Sequence, residues 1–114
     1  MVNLEKKDKY RLIIKQILSQ YATYKPANGN IDLQIIFDSD HDRYQVLAVG
    51  WEENHRVYGC SIHLDIKEDK IWIQANNTEI DIAQELATEG VPKDDIVIAF
   101  QPPYLRQFSG YAVV

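Results

Sequence analysis

Apolar residues recur along this chain with two different periods, and the change of period separates helices from strands. Across residues 4–24 they are spaced three and four apart, as on one face of a helix, at Tyr10, Ile13, Ile14, Ile17, Leu18 and Tyr21. Pro26 and the turn residues Asn28 and Gly29 end this helix. The stripe could bind a partner, but we expect it to cover a sheet, because most helical stability comes from packing such a face.

Between residues 31 and 74 the apolar period falls to two, which is the period of a strand with one buried face. Four segments of this kind follow one another with short polar turns between them, at residues 31–37, 43–51, 56–67 and 70–74. Because short connections join neighbouring antiparallel strands, these segments predict a four-stranded antiparallel meander.

A second helix is predicted in the segment NNTEIDIAQELATEGVP, residues 76–92. Thr78 is the predicted N-cap, with Asp81 in the place of the acid of a capping box, and Gly90 is the predicted left-handed residue at the end. Residues 96–100 predict a fifth strand, which can run parallel to a neighbour. The fold is therefore α+β, one domain over residues 1–114, with both helices packed on one sheet face.

The third strand, residues 56–67, carries the polar pair His63 and Asp65. Strict alternation predicts one face under the helices, made of Tyr58, Cys60, Ile62, Leu64 and Ile66. It predicts a second face away from the helices, made of Val57, Gly59, Ser61, His63 and Asp65. Small residues let another surface approach closely, so we interpret the second face as an interface, including one between copies of the chain. The candidate partner-binding residues on it are Val57, Ser61, His63 and Asp65.

An active site or small-ligand site at His63 and Asp65 is the alternative, and the sequence leaves it open. A zinc site needs three or four ligands, yet the cysteine and histidines lie on different elements without motif spacing. Ser61 and His63 are neighbours on one face of any strand, so their spacing does not indicate a catalytic nucleophile. We expect no catalytic residues, no metal and no cofactor.

The turn DSDHD, residues 38–42, places acids at every second position, like the start of a calcium loop. Such a loop also needs Gly at its sixth position and Glu at its twelfth, where this chain has Arg43 and Val49. A polar hairpin turn is the better interpretation.

Charge and cysteine content narrow the functional classes. The 114 residues include 12 basic and 17 acidic side chains, for a net charge of -5. An acidic chain lacks the counterion-releasing attraction to nucleic acid, so direct binding by this chain alone is not expected. Cys60 is the single cysteine, which leaves no intrachain disulfide and fits a reducing compartment. With no signal peptide and no membrane-length apolar run, we expect a cytoplasmic protein.

The C-terminal tail, QPPYLRQFSGYAVV, is rich in aromatic residues. Pro102 and Pro103 are expected to exclude regular structure there. Clusters of aromatic residues with arginine are common at interface hot spots, so we name Tyr104, Arg106 and Phe108 as candidate contact residues. The alternative, equally supported by the sequence, is that they fasten the tail to the core.

Several short motifs are specific enough to compare with known families: VGW at 49–51, RVYGC at 56–60, KIWIQ at 70–74, GVPKDDIV at 90–97, and PPY with FSGYA in the tail. They resemble the XisI family, bacterial factors described as controlling excision of the fdxN element by site-specific recombination. The resemblance covers nearly the whole chain. It implies a non-enzymatic accessory factor beside a separate recombinase, with a nuclease-like XisH companion as the expected protein partner. A direct DNA-binding accessory factor and a small-ligand binder or enzyme remain the rival hypotheses.

Overall fold

The first helix, α1, spans Val2–Ala22 in the computed structural model, which describes residues 2–24 and 30–114. Its predicted apolar stripe faces the core, with four members buried and two packed against them. The prediction that this stripe covers a sheet is confirmed. The predicted turn at Pro26, Asn28 and Gly29 lies outside the described residues.

Five strands form one sheet in the order β1-β2-β3-β4-β5. The first four are antiparallel neighbours, as predicted, and β5 pairs parallel with β4. Glu68 and Asp69 both have left-handed backbone angles, which suit the two-residue turn between β3 and β4. The strands are β1 Asn30–Asp38, β2 Arg43–Glu52, β3 His55–Lys67, β4 Lys70–Asn76 and β5 Ile96–Ile98.

The second helix, α2, is shorter than predicted and spans Ile82–Thr88. Its N-cap is Asp81, whose carboxylate accepts the backbone N–H of Gln84 at 3.1 Å, so the prediction of Thr78 as N-cap is wrong. The Thr78 hydroxyl instead accepts the N–H of Ile80 at 3.1 Å and holds the turn that precedes the helix. Gly90 ends the helix region with a φ of 105°, as predicted.

Both helices pack on the same face of the sheet, where they share one hydrophobic core. Apolar side chains of α1 and α2 meet those of all five strands in this layer, which confirms the predicted arrangement. The fully buried members include Ile14, Leu18, Tyr44, Val46, Ile62, Leu64, Ile71, Leu86 and Ile96. No helix in the described part of the chain is long and apolar enough to cross a membrane.

Two polar contacts fasten α1 to the rest of the domain. The Arg11 guanidinium donates to both carboxylate oxygens of Asp42, at 2.7 and 3.1 Å, at the turn between β1 and β2. Asp95 accepts the Tyr10 hydroxyl and pairs with Lys6 at 2.8 Å. Burial alone would raise the pKa of Asp95, but these two partners outweigh it and hold that pKa below its usual value.

The C-terminal tail contains a short 3-10 helix, Pro103–Phe108. The expectation that the two prolines exclude regular structure is wrong, because the fixed φ of proline suits the first turn of a helix. Beyond this helix the Ala112 N–H donates to the Ile96 carbonyl at 2.9 Å, and the Ala112 side chain is buried. The tail is therefore docked on its own domain, beside β5.

Candidate functional site

A bulge in β3 decides which residues face away from the helices. Val46 lies opposite Ile62 whereas Leu47 lies opposite Cys60, so Ser61 is an extra residue in β3. The alternation of side chains changes phase at this point. Burial raises the pKa of Tyr21 on α1 and the nearby Ser61 hydroxyl opposes that rise, which puts Ser61 on the side of the sheet that the helices cover.

The predicted second face of β3 is therefore wrong for Val57, Gly59 and Ser61. Val57 lies opposite Gly50 and Gly59 opposite Ala48, in phase with the buried Tyr44 and Val46 of β2. Tyr58 and Cys60, predicted under the helices, lie on the opposite side of the sheet with His63 and Asp65. Strict alternation gave the wrong result because one inserted residue shifts every position on one side of it.

The face of β1, β2 and β3 that no helix covers is here called the open face. Three large apolar side chains on it stay exposed, Ile36 at 48%, Trp51 at 50% and Tyr58 at 68%. The Arg56 guanidinium lies 5.3 Å from the Trp51 ring centre. These exposed apolar side chains lie on the face that the helices leave uncovered. By the strand register, the open face comprises Asn30, Asp32, Gln34, Ile36, Asp38, Arg43, Gln45, Leu47, Val49, Trp51, Arg56, Tyr58, Cys60, His63 and Asp65.

His63 and Asp65 form a half-buried hydrogen-bonded cluster on the open face. His63 Nε2 lies 2.8 Å from Asp65 Oδ1, and Gln74 Nε2 donates to Asp65 Oδ2 at 3.2 Å. A second bulge, between Ala75 and Ile73 of β4, brings Gln74 into reach. Both carboxylate oxygens are thus engaged by side chains of the sheet itself. Within residues 2–24 and 30–114, no three His, Cys, Asp or Glu residues are placed to hold a metal ion.

Cys60 lies beside this cluster, and its environment makes the thiol a weak nucleophile. Its Sγ donates to the Ile62 carbonyl at 3.2 Å. Burial raises the pKa of the Cys60 thiol, so the reactive thiolate is scarce at neutral pH.

The acidic turn at residues 38–42 uses its carboxylates within the fold. Asp38 accepts the backbone N–H groups of Asp40 and His41, both at 3.1 Å, and its other oxygen lies 2.8 Å from the His41 ring. The pKa of Asp38 is lowered chiefly by that His41 contact. Asp42 binds Arg11, as described above. These contacts agree with the interpretation of a polar turn.

The three candidate residues of the tail separate into two kinds. Tyr104 and Phe108 are 71% and 78% exposed, whereas Arg106 is only 8% exposed. The Arg106 guanidinium donates to the carbonyls of Gln101, Val114 and Ala99 at 3.1, 2.7 and 3.2 Å. Arg106 therefore fastens the tail to the domain, while Tyr104 and Phe108 are presented to solvent. Sequence reasoning placed all three together because residue type does not reveal which side chain turns inward.

The structure defines a class of α+β protein in which one mixed sheet has helices on one face and, on the other, an open face that carries both polar and exposed apolar side chains. The family model for the XisI protein matches residues 4–113, so this chain belongs to the XisI family.

Two solved structures have the same fold. A XisI-like protein from Anabaena variabilis ATCC 29413 is 41% identical, with a TM-score of 0.87, and the match covers 95% of this chain and 99% of that one. The fdxN element excision controlling factor XisI from the same organism is 29% identical, with a TM-score of 0.81, and the match covers 96% and 99%. Among proteins of curated function, none matches this chain.

Proposed function

We propose that this chain is a non-enzymatic accessory factor that helps to control excision of a DNA element such as the fdxN element, and that it acts through protein contacts. The role is supported by membership of the XisI family and by the likeness to a relative described as an excision controlling factor. The observation that carries the contact mechanism is the open face, where Ile36, Trp51 and Tyr58 are exposed without a covering helix.

The size of the open face suits a protein partner. Nine residues of a strand span about 30 Å, and three strands with their side chains span about 15 Å. A surface of this size can form the central part of a standard interface, which buries about 800 Å² on each partner. Trp51 and Tyr58 are of the residue types that supply most of the binding energy in such interfaces.

The proposed partner is a nuclease-like XisH companion, and the proposed site of action is the cytoplasm. The net charge of -5 opposes attraction to bare DNA, whereas a protein that handles DNA carries basic surface that an acidic factor can approach. The accessory factor then reaches the element through its companion. Tyr104 and Phe108 of the tail provide a second exposed aromatic surface for the same contact.

Co-purification of the chain with its XisH-like companion at physiological salt tests the proposal. Tyr58→Asp puts a charge on the open face and is expected to weaken the complex by about tenfold or more. Phe108→Asp tests the tail in the same assay. Leu12→Asp is the matched control, because Leu12 is equally exposed but lies on α1. No complex under any condition, or equal losses in all three variants, contradicts the proposal.

A gel-shift assay with the ends of the element separates protein contact from direct DNA binding. A complex of this chain alone with DNA that weakens steeply as salt rises would support direct binding instead.

A further inference from the structure

A groove of about 670 Å³ lies between α1 and α2, on the side of the sheet opposite to the open face. Its floor is apolar and comes from Ile17, Tyr21, Ile80 and Ile82. The first three are only partly buried, so the groove leaves apolar surface in contact with water. An occupant that covered that surface would gain roughly 25 cal/mol of binding free energy per Å² of apolar area buried.

The rim of the groove is acidic. Glu79, Glu85 and Glu89 are exposed at its edge, and Glu85 lies one helical turn before Glu89, the C-cap residue of α2. Among the described residues that line the groove, none is a lysine or arginine. The three carboxylates therefore create a negative field at the mouth of an apolar channel, which favours a cationic occupant.

We infer that this groove binds a short amphipathic segment of a protein partner, with apolar side chains on one side and Lys or Arg on the other. The apolar side chains would cover the floor, and the basic ones would meet the glutamates. Tyr21 and Tyr24 add aromatic rings, against which arginine packs favourably.

The length of the groove sets the length of the segment. The wall formed by α1 runs from Gln16 to Tyr21, which is about 8 Å of helix, or roughly one and a half turns, and Tyr24 extends it just beyond the helix. An amphipathic helix of two to three turns lying in a hydrophobic groove is a common mode of peptide recognition. This contact is separate from the open face, and it does not depend on the identity of the companion.

Fluorescence anisotropy with a labelled model peptide tests the inference on the purified full-length chain. The probe is an amphipathic peptide of about 12 residues, with leucines on one helical face and lysine and arginine on the other. We expect saturable binding that weakens with salt. A peptide with the same composition but shuffled order keeps the charge and loses the apolar face. Its affinity should be lower by about tenfold or more.

Charge-reversal variants locate the binding site. The double variant Glu85→Lys, Glu89→Lys should bind the amphipathic peptide more weakly by about tenfold or more. The matched control replaces Glu52→Lys and Glu53→Lys, which changes the net charge equally at an exposed turn between β2 and β3. Gln20→Lys introduces a cation from the α1 wall and should also weaken binding. Circular dichroism confirms that each variant is folded.

Equal weakening by the two glutamate pairs, or equal binding of the two peptides, would show a general attraction between charges and overturn the inference. Absence of binding by the amphipathic peptide would overturn it as well. Self-association that depends on Glu85 and Glu89, measured by light scattering, would instead assign the groove to a second copy of the chain. Because this assay contains no companion protein, its outcome is independent of the co-purification experiment.

Discussion

The two faces of the sheet carry comparable apolar side chains but differ in what covers them. On the helix side of β2, Tyr44 and Val46 are completely buried. On the open face of the same strand, Leu47 and Val49 are half-buried and Trp51 is exposed. Apolar residues on the first face stabilise the fold, whereas those on the second add little to it. Exposed apolar side chains on an uncovered face agree with the partner contact proposed above.

The largest expected difference between the faces is in how much stability is lost when a leucine is replaced by alanine. Leu64→Ala leaves a cavity under the helices and should lower the free energy of unfolding by about 3 kcal/mol. Leu47→Ala, on the open face, should cost about 1 kcal/mol or less, because water can occupy the space. Urea unfolding of both variants measures the difference. Equal costs would mean that the open face is not solvated as described.

Arg106 tests how the C-terminal tail is held beside β5, at the edge of the sheet farthest from β1. Arg106→Ala removes donors from three carbonyls and should cost about 2 kcal/mol. Hydrogen exchange should increase in residues 99–114. Gln107→Ala is the control on the same 3-10 helix, where the side chain is exposed, and it should change stability by less than about 0.5 kcal/mol. Unchanged exchange in Arg106→Ala would show that other contacts hold the tail.

Asp42 tests the polar contacts on the helix side. The Arg11 guanidinium lowers the pKa of Asp42 below its ordinary 3.8, so the ion pair stabilises the fold above that pH and is lost as the pH falls toward the lower folded-state pKa. Asp42→Asn should lower the free energy of unfolding by about 1.5 kcal/mol at pH 7. Below about pH 4 the variant should lose less stability than the unaltered chain, because the titrating carboxylate is gone. Asparagine tolerates the left-handed backbone at this position.

The control for Asp42 is Asp65→Asn on the open face, where the carboxylate also accepts side-chain hydrogen bonds. It should cost about 0.5 kcal/mol, because the amide oxygen can still accept a hydrogen bond and water reaches the cluster. Urea unfolding between pH 3 and 7, a range that spans ordinary carboxyl pKa values of about 4, measures both variants. An unaltered acid profile in Asp42→Asn would contradict the assignment of the pH dependence to this ion pair.

The smallest expected effect on stability is at Tyr58. Tyr58→Ala should change the free energy of unfolding by less than about 0.5 kcal/mol, because the side chain is already largely exposed. The same change should weaken the proposed complex with the companion. Urea unfolding and co-purification of one preparation measure both effects. A large loss of stability would mean that Tyr58 serves the fold rather than a contact.

The periodicity of the sequence predicted most of the fold. The six-residue stripe predicted α1 correctly, and the four alternating segments predicted β1 to β4 correctly. Each of these elements buries one face, so the spacing of its apolar residues follows the helix or strand period. The points that periodicity left undecided or wrong have physical causes of their own. Thr78 and Asp81 are both good capping residues, and only the path of the turn decides which one begins the helix. Arg106 lies between two exposed aromatics, and nothing in the residue types indicates that it alone turns inward.

What the sequence by itself determined is the set of elements, their order and the existence of one apolar stripe on each, because these depend on neighbours a few residues apart. Only the tertiary structure decided which residues share the open face. A single inserted residue at Ser61 moves Tyr58 and Cys60 onto the side of His63 and Asp65. That insertion is defined by the pairing of β3 with β2, between residues distant in sequence, and a local pattern does not contain it.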